Sequence, residues 1–423
     1  MKWLKAILLF TLLFVEFQRR IAGVNISIVQ LVAGIIFIII AVKGIINNNI
    51  KLLYRANKKI IDFFIIYILG MFVLIVIHNY NNIFGIIKYL FVLILGFMCL
   101  LDFLVQEEKK ESIYIYFNVL LIMSTFIVLF GIYEVSLLDY FPKRFDSYFW
   151  GISNRMSSRF LIILPIAFYM AKYKNKLYWI VFYILTLGIL MTVSRGAIIC
   201  VLPIFLIFNV KEFIKKQNIL KTISGFIVNI FVLFKLKLLQ SLLYRSTVLG
   251  NQFSYEIKKQ TAKNIARLPV SNEGSTDISR FILWKKAISD FIKNPIFGKG
   301  IDKYNYYYYY FGKKVGEVNA HDWILHILAE TGIVGLIVTL VLIVMIFKTI
   351  ISKYKKARHE NDEFELFRLQ ICFWIFSLFL IHNLVEASVN SLMFGYGTVS
   401  CFVLILLGIC LGNNPLKKDS IAN

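Results

Sequence analysis

Acidic side chains are scarce in this chain. Aspartate and glutamate number 24 against 47 lysines and arginines, and the formal net charge is +23. Proline is scarcer still, with six in 423 residues, which excludes a proline-rich disordered chain. The five cysteines, Cys99, Cys200, Cys372, Cys401 and Cys410, each lie in or beside an apolar run. No two have metal-ligand spacing, so neither a disulfide scaffold nor a zinc site is supported. Sustained alternation of polar and apolar residues is also missing, which argues against a β-barrel. What remains is apolar: 59% of residues are hydrophobic and the mean hydropathy is +0.73. Repeated long apolar runs in such a chain indicate an all-α, polytopic membrane protein. In that setting the positive charge points to loops and lipid rather than to nucleic acid.

About twelve transmembrane helices are expected, at roughly 4–17, 21–42, 61–77, 83–105, 112–136, 158–171, 177–193, 196–210, 219–239, 323–347, 369–386 and 393–412. The first has Lys2 and Lys5 before a short apolar stretch, as a signal peptide would. The exit "VEFQRR" offers no small-residue cleavage site, so the segment reads as a membrane helix. With both termini cytoplasmic, "KLLYRANKK", "QEEKK", "KYKNK", "KEFIKK" and "KTIISKYKKAR" all fall inside, as the positive-inside rule requires. The chain then divides into helices 1 to 9 over 1–239, an extracytoplasmic loop over 240–321, helices 10 to 12 over 322–412 and a cytoplasmic tail over 413–423.

The long loop breaks the charge pattern. Residues 240–320 carry 13 basic and six acidic side chains on the outward side. Anionic lipid headgroups or an anionic substrate on the outer face would each account for that charge. Within the loop, Ser275, Thr276 and Asp277 form a capping signature, and Phe281, Trp284, Ile288 and Phe291 follow on one helical face. Asn294-Pro295 ends this helix, with Gly298 and Gly300 making a turn. Such a helix lies on the membrane or packs over the mouth of the bundle. The run "YNYYYYYFG" beyond it reads as an interfacial aromatic belt or as a sugar-stacking platform.

Titratable groups concentrate in "NAHDWILHILAETGIVGL". His321 opens the tenth apolar segment, where the free amides and partial positive charge of a helix start lower an imidazole's pKa. A neutral imidazole there can act as a general base or serve as a structural cap. Gly332 lies almost three turns further on, on nearly the same face if the helix is continuous, and Gly332 and Gly335 are read as helix-packing positions. His326 and Glu330 are four residues apart and should pair inside the protein. Arg195 stands in the turn "TVSRG" and either snorkels or faces a cavity. Arg280 opens the outer-loop helix; two guanidinium forks converging on one pocket would suit a diphosphate. Arg155, Arg159, His382 and Glu386 are further candidates near the outer ends of helices, with interhelical hydrogen bonding as the alternative role of the last two.

His321, Asp322, nine residues, Gly332, two residues and Gly335 together resemble the signature of bacterial O-antigen ligases and the related O-antigen (Wzy-type) and surface-polysaccharide polymerases. Ser194-Arg195 matches that family's "TR" or "SR" turn. Arg280 and "NPIFGKG" match the arginine that opens its outer-loop helix and the segment after it. The family usually has Asn, Ser or Gln where Asp322 stands. The resemblance implies a GT-C-like, metal-independent, inverting glycosyltransferase without a cofactor, multi-pass in the bacterial cytoplasmic (inner) membrane. Its donor would be a glycan on undecaprenyl diphosphate, held by Arg195 and Arg280. Its acceptor would be a glycan or glycolipid, activated by His321, and a chain-length regulator would be a further partner. A repeat-unit polymerase is favoured over a ligase that transfers to lipid A core. A lipid-linked oligosaccharide transporter would instead place charge along a central path with repeated halves, a pattern not seen in the sequence.

Overall fold

The computed structural model describes residues 109–138, 144–145, 153–243, 280–300, 306–310, 313–318, 320 and 322–385, strands at 18–21 and 24–27, and scattered positions at 6, 58–77, 403, 407 and 411. Nine helices are named below: α1 (Lys109–Ser136), α2 (Ser153–Tyr173), α3 (Tyr178–Met191), α4 (Leu202–Phe208), α5 (Val210–Phe213), α6 (Lys216–Lys235), α7 (Arg280–Lys293), α8 (Trp323–His359) and α9 (Glu363–Val385). A π-helical turn, Gly196–Val201, leads into α4. Among the described residues four helices are long and apolar enough to cross a membrane: Lys110–Ser136, Lys216–Lys235, Trp323–His359 and Glu363–Leu384. Short connections make successive helices run antiparallel, so α2, α4 and α8 begin at the end where α3 and α9 finish.

The core is aromatic where α2, α3, α4 and α5 meet. Phe168 has Trp179, Phe182, Phe205 and Phe213 around it at 5.5, 5.9, 5.4 and 5.3 Å between ring centroids, mostly edge-on or tilted. Such geometry places the positive ring edge against the negative ring face. Trp374 of α9 extends the cluster, 5.0 Å from Phe205.

The described residues are mostly helical, as expected, with short strands added among them. Two antiparallel hairpins are present, β1 (Gln18–Ile21) with β2 (Val24–Ser27) and β3 (Tyr306–Tyr310) with β4 (Lys313–Val318). The first hairpin occupies the start of the segment expected as a helix over 21–42. The tyrosine run is strand β3, with a register irregularity between Tyr308 and Tyr309. Aromatic side chains favour extended backbone, and a partner strand satisfies its amides. The expected segment at 83–105, and most of those at 4–17, 21–42 and 393–412, lie outside the described residues.

Candidate functional site

Helix α7, from the long loop before α8, packs on the head of α8, and the contact is built from small residues. Ala287 of α7, Ala329 of α8 and Ala320 form a buried cluster with Leu325 beside it. This seam differs from the expected face. Leu283, Ala287 and Asp290 are buried, whereas Ile288 is 45% exposed. Alanine permits a close helix approach that a stripe of large side chains would hold apart. Asp290 receives Lys286 at 2.8 Å and Lys299 at 3.5 Å. Burial opposes ionisation of Asp290, but the two lysines outweigh it and hold the carboxyl below its usual range.

Beyond α7, the segment "NPIFGKG" joins α8 through its backbone. Gly332 has φ 64° and ψ −162°, so α8 is two helical stretches meeting at a kink. A regular helix would bond the amides of Ile333 and Val334 to the carbonyls of Ala329 and Glu330. Here those amides donate to Pro295 O (2.9 Å) and Ile296 O (3.2 Å). The released carbonyls of Ala329 and Glu330 accept from Lys299 N and Gly300 N, both at 2.9 Å. Two helix bonds are thus exchanged for four bonds between loop and helix, and each of these four helix groups keeps a partner. A Cβ on Gly332 would stand 2.3 Å from Ile296 O, and one on Gly298 (φ 73°) would stand 2.3 Å from the carbonyl carbon of Glu330. The expectation that Gly332 packs as part of a continuous helix is therefore replaced: it supplies a positive-φ break into which the loop fits. The expected pairing of His326 with Glu330 is present, at 3.0 Å and buried.

Asp322 is the N-cap of α8. Its backbone is extended and its Oδ1 accepts from Leu325 N at 2.9 Å. Asparagine and serine, the usual family residues at this position, are also strong N-caps, which gives the departure a physical reading. Burial pushes the Asp322 carboxyl up, against the amides of Leu325 and Ile324, which favour its charged form. Next to it, the indole N–H of the buried Trp323 has no hydrogen-bond partner among the described residues. A donor of this kind at the head of α8 was not singled out from the sequence; its signal is only the tryptophan in "HDW". His321 and Glu386 lie outside the described residues, as do the side chains of Arg155 and Arg280.

Arg195 is half-buried and stands between two backbone irregularities. Val193, two residues before it, has φ 52°, unusual for a β-branched residue. The π-helical turn starts directly after it. Strained backbone and π-turns both gather where a side chain must be held in one place. The turn is secured by Phe145 N, which donates to Met191 O at 2.8 Å, and by Thr192 Oγ1, which donates to Ile189 O at 2.6 Å. At the same end, the start of α2 meets the end of α9. Ser157 Oγ lies 3.5 Å from His382 Nε2, and Arg159, two residues on, is buried with Nη1 3.6 Å from Met156 Sδ. α9 packs against α2, the π-turn and α8, so it links Arg195, Ser157, Arg159, His382 and Asp322 at one end of the bundle.

No curated protein matches the chain. The sequence model of the O-antigen ligase family matches residues 180–340, a stretch holding the strained arginine turn, α7, its docking loop and the kinked head of α8. Over this stretch the chain is similar to the O-antigen ligase family, and the match covers the residues that carry the resemblance seen in the sequence.

Proposed function

We infer that the chain is a membrane glycosyltransferase of the O-antigen ligase and polymerase type, acting at the outer face of the inner membrane. The match over 180–340 carries this reading, because it spans both arginines and the histidine motif. The donor is a glycan on undecaprenyl diphosphate. Arg195 and Arg280 hold its diphosphate and balance the charge that grows on it as it leaves. His321 takes the proton of an acceptor hydroxyl while that oxygen bonds to the anomeric carbon and the carbon–oxygen bond to phosphate breaks. Attack opposite the leaving group inverts the anomeric centre, and the two guanidinium groups supply the positive charge without a metal. The docked loop supports this reading, because it ties the helix opened by Arg280 to the helix headed by His321-Asp322.

Repeat-unit polymerisation is the favoured reaction. Transfer of the glycan to lipid A core is the second reading, and the description of the matching family favours it. Deletion separates the two. Loss of long chains with one repeat still attached marks a polymerase; loss of all attached glycan with accumulation of lipid-linked chains marks a ligase. Arg195→Ala, Arg280→Ala and His321→Ala should each abolish polysaccharide assembly at unchanged protein abundance, with the histidine contributing about 10²–10⁴-fold as a general base. Near-normal assembly by His321→Ala would remove the base from this scheme.

A further inference from the structure

A cavity of about 590 Å³ lies at the end of the bundle opposite Asp322. Its walls come from the end of α2, from α4 and α5, from the last turns of α8 and from α9. Measured along α8, Asp322 and Arg358 are about 50 Å apart, so this is a separate site from the one above.

The lining combines charge with apolar surface. Lys172, Lys211, Lys355 and Arg358 face a single carboxylate, Glu212. That carboxylate is already engaged, with Lys172 at 3.0 Å and Lys215 at 2.6 Å. Among the described residues, no ion pair involves Lys211, Lys355 or Arg358. Phe208 and Ile351, 75% and 46% exposed, form the apolar edge. The level of the cavity is readable from two helices. On α8 the exposed apolar side chains end at Ile351, and Lys355 and Arg358 follow one and two turns later. On α4 they include Ile207 and Phe208, and Lys211 follows. Hydrocarbon gives way to headgroups at such a transition.

We propose that this cavity binds the headgroup of one anionic phospholipid from the leaflet at the basic ends of the helices. Its phosphate sits among Arg358, Lys355 and Lys211, and an acyl chain runs out along Phe208 and Ile351. Three unbalanced cations select the charge, and the adjoining exposed apolar edge selects a lipid over a soluble anion.

The test uses the full chain, purified in detergent and read by native mass spectrometry with phosphatidylglycerol or phosphatidylcholine of the same acyl composition. Phosphatidylglycerol should be retained preferentially, and binding should weaken roughly five-fold for each charge removed in Lys355→Gln and Arg358→Gln. Arg358→Lys should keep most of the binding. Lys216→Gln/Lys348→Gln, which removes two exposed lysines that do not line the cavity, should leave it unchanged. Equal retention of the two lipids overturns the proposal, as does an equal loss in the control pair. Displacement of the lipid by an equal concentration of glycerol 3-phosphate would make this a soluble-anion site and overturn the lipid assignment.

Discussion

Gly332 has a backbone conformation that side chains other than glycine rarely adopt, and the carbonyl of Ile296 occupies the place of its missing Cβ. Gly332→Ala should therefore destabilise the protein by about 2–3 kcal/mol, from strain and from the forced retreat of the loop. Thermal unfolding measures the loss, and hydrogen exchange at Ile333 and Val334 localises it. Wild-type stability with unchanged protection of these amides would show that the loop is not bonded there. This role was not legible in the sequence. "TGIVGL" reads equally well as a small-residue packing motif, because φ at Gly332 is set by bonds to residues more than 30 positions earlier. The pairing of His326 with Glu330 was legible, since a four-residue spacing on a helix brings two side chains together whatever else surrounds them.

Helix α7 shows the same contrast between local and distant causes. Its end at "NPIFGKG" follows from local breaking signals and falls close to the expected position, whereas the capping signature Ser275, Thr276 and Asp277 lies outside the described residues. Its buried seam does not follow from the apolar stripe, because a partner with small residues chose Ala287 instead of the larger Ile288. Helices α1 and α3 lie close to their expected spans. α8 runs twelve residues past its expected end, because hydropathy locates the apolar stretch while "SKYKKARH" continues as helix. The ion pairs of Asp290 with Lys286 and Lys299 tie α7 to the docked loop. The folded-state pKa of Asp290 is depressed, so the contribution of the ion pairs is present above the ordinary aspartate value of about 4 and is lost as pH falls through the folded value. Wild-type thermal midpoints should accordingly fall across that acid range. Asp290→Asn should be less stable at neutral pH and change less there. Parallel curves for the two proteins would show that Asp290 contributes nothing.

Across the whole molecule, the exposed apolar side chains of α8 mark where lipid touches it. They begin at Ile333, continue through Ile337, Val341 and Val344, and end at Ile351. That span is about 27 Å long, close to the thickness of a hydrocarbon core. Spin labels at these five positions should be deepest near Val341 and Val344 and shallow at both ends by oxygen-accessibility contrast; depth increasing towards Trp323 would contradict this placement. The stretch Trp323–Thr331 then stands above the hydrocarbon, covered by α7 and the loop, and Gly332 lies at the boundary between the two regions. Chain order gives this boundary a consequence for biogenesis. Residues 294–300 are synthesised before 329–334, so the loop exists before the segment it docks on. The four bonds that hold the kink form only once 329–334 have joined a loop made earlier. The shape of the head of α8 is therefore fixed by an earlier stretch of chain and not by the helix alone.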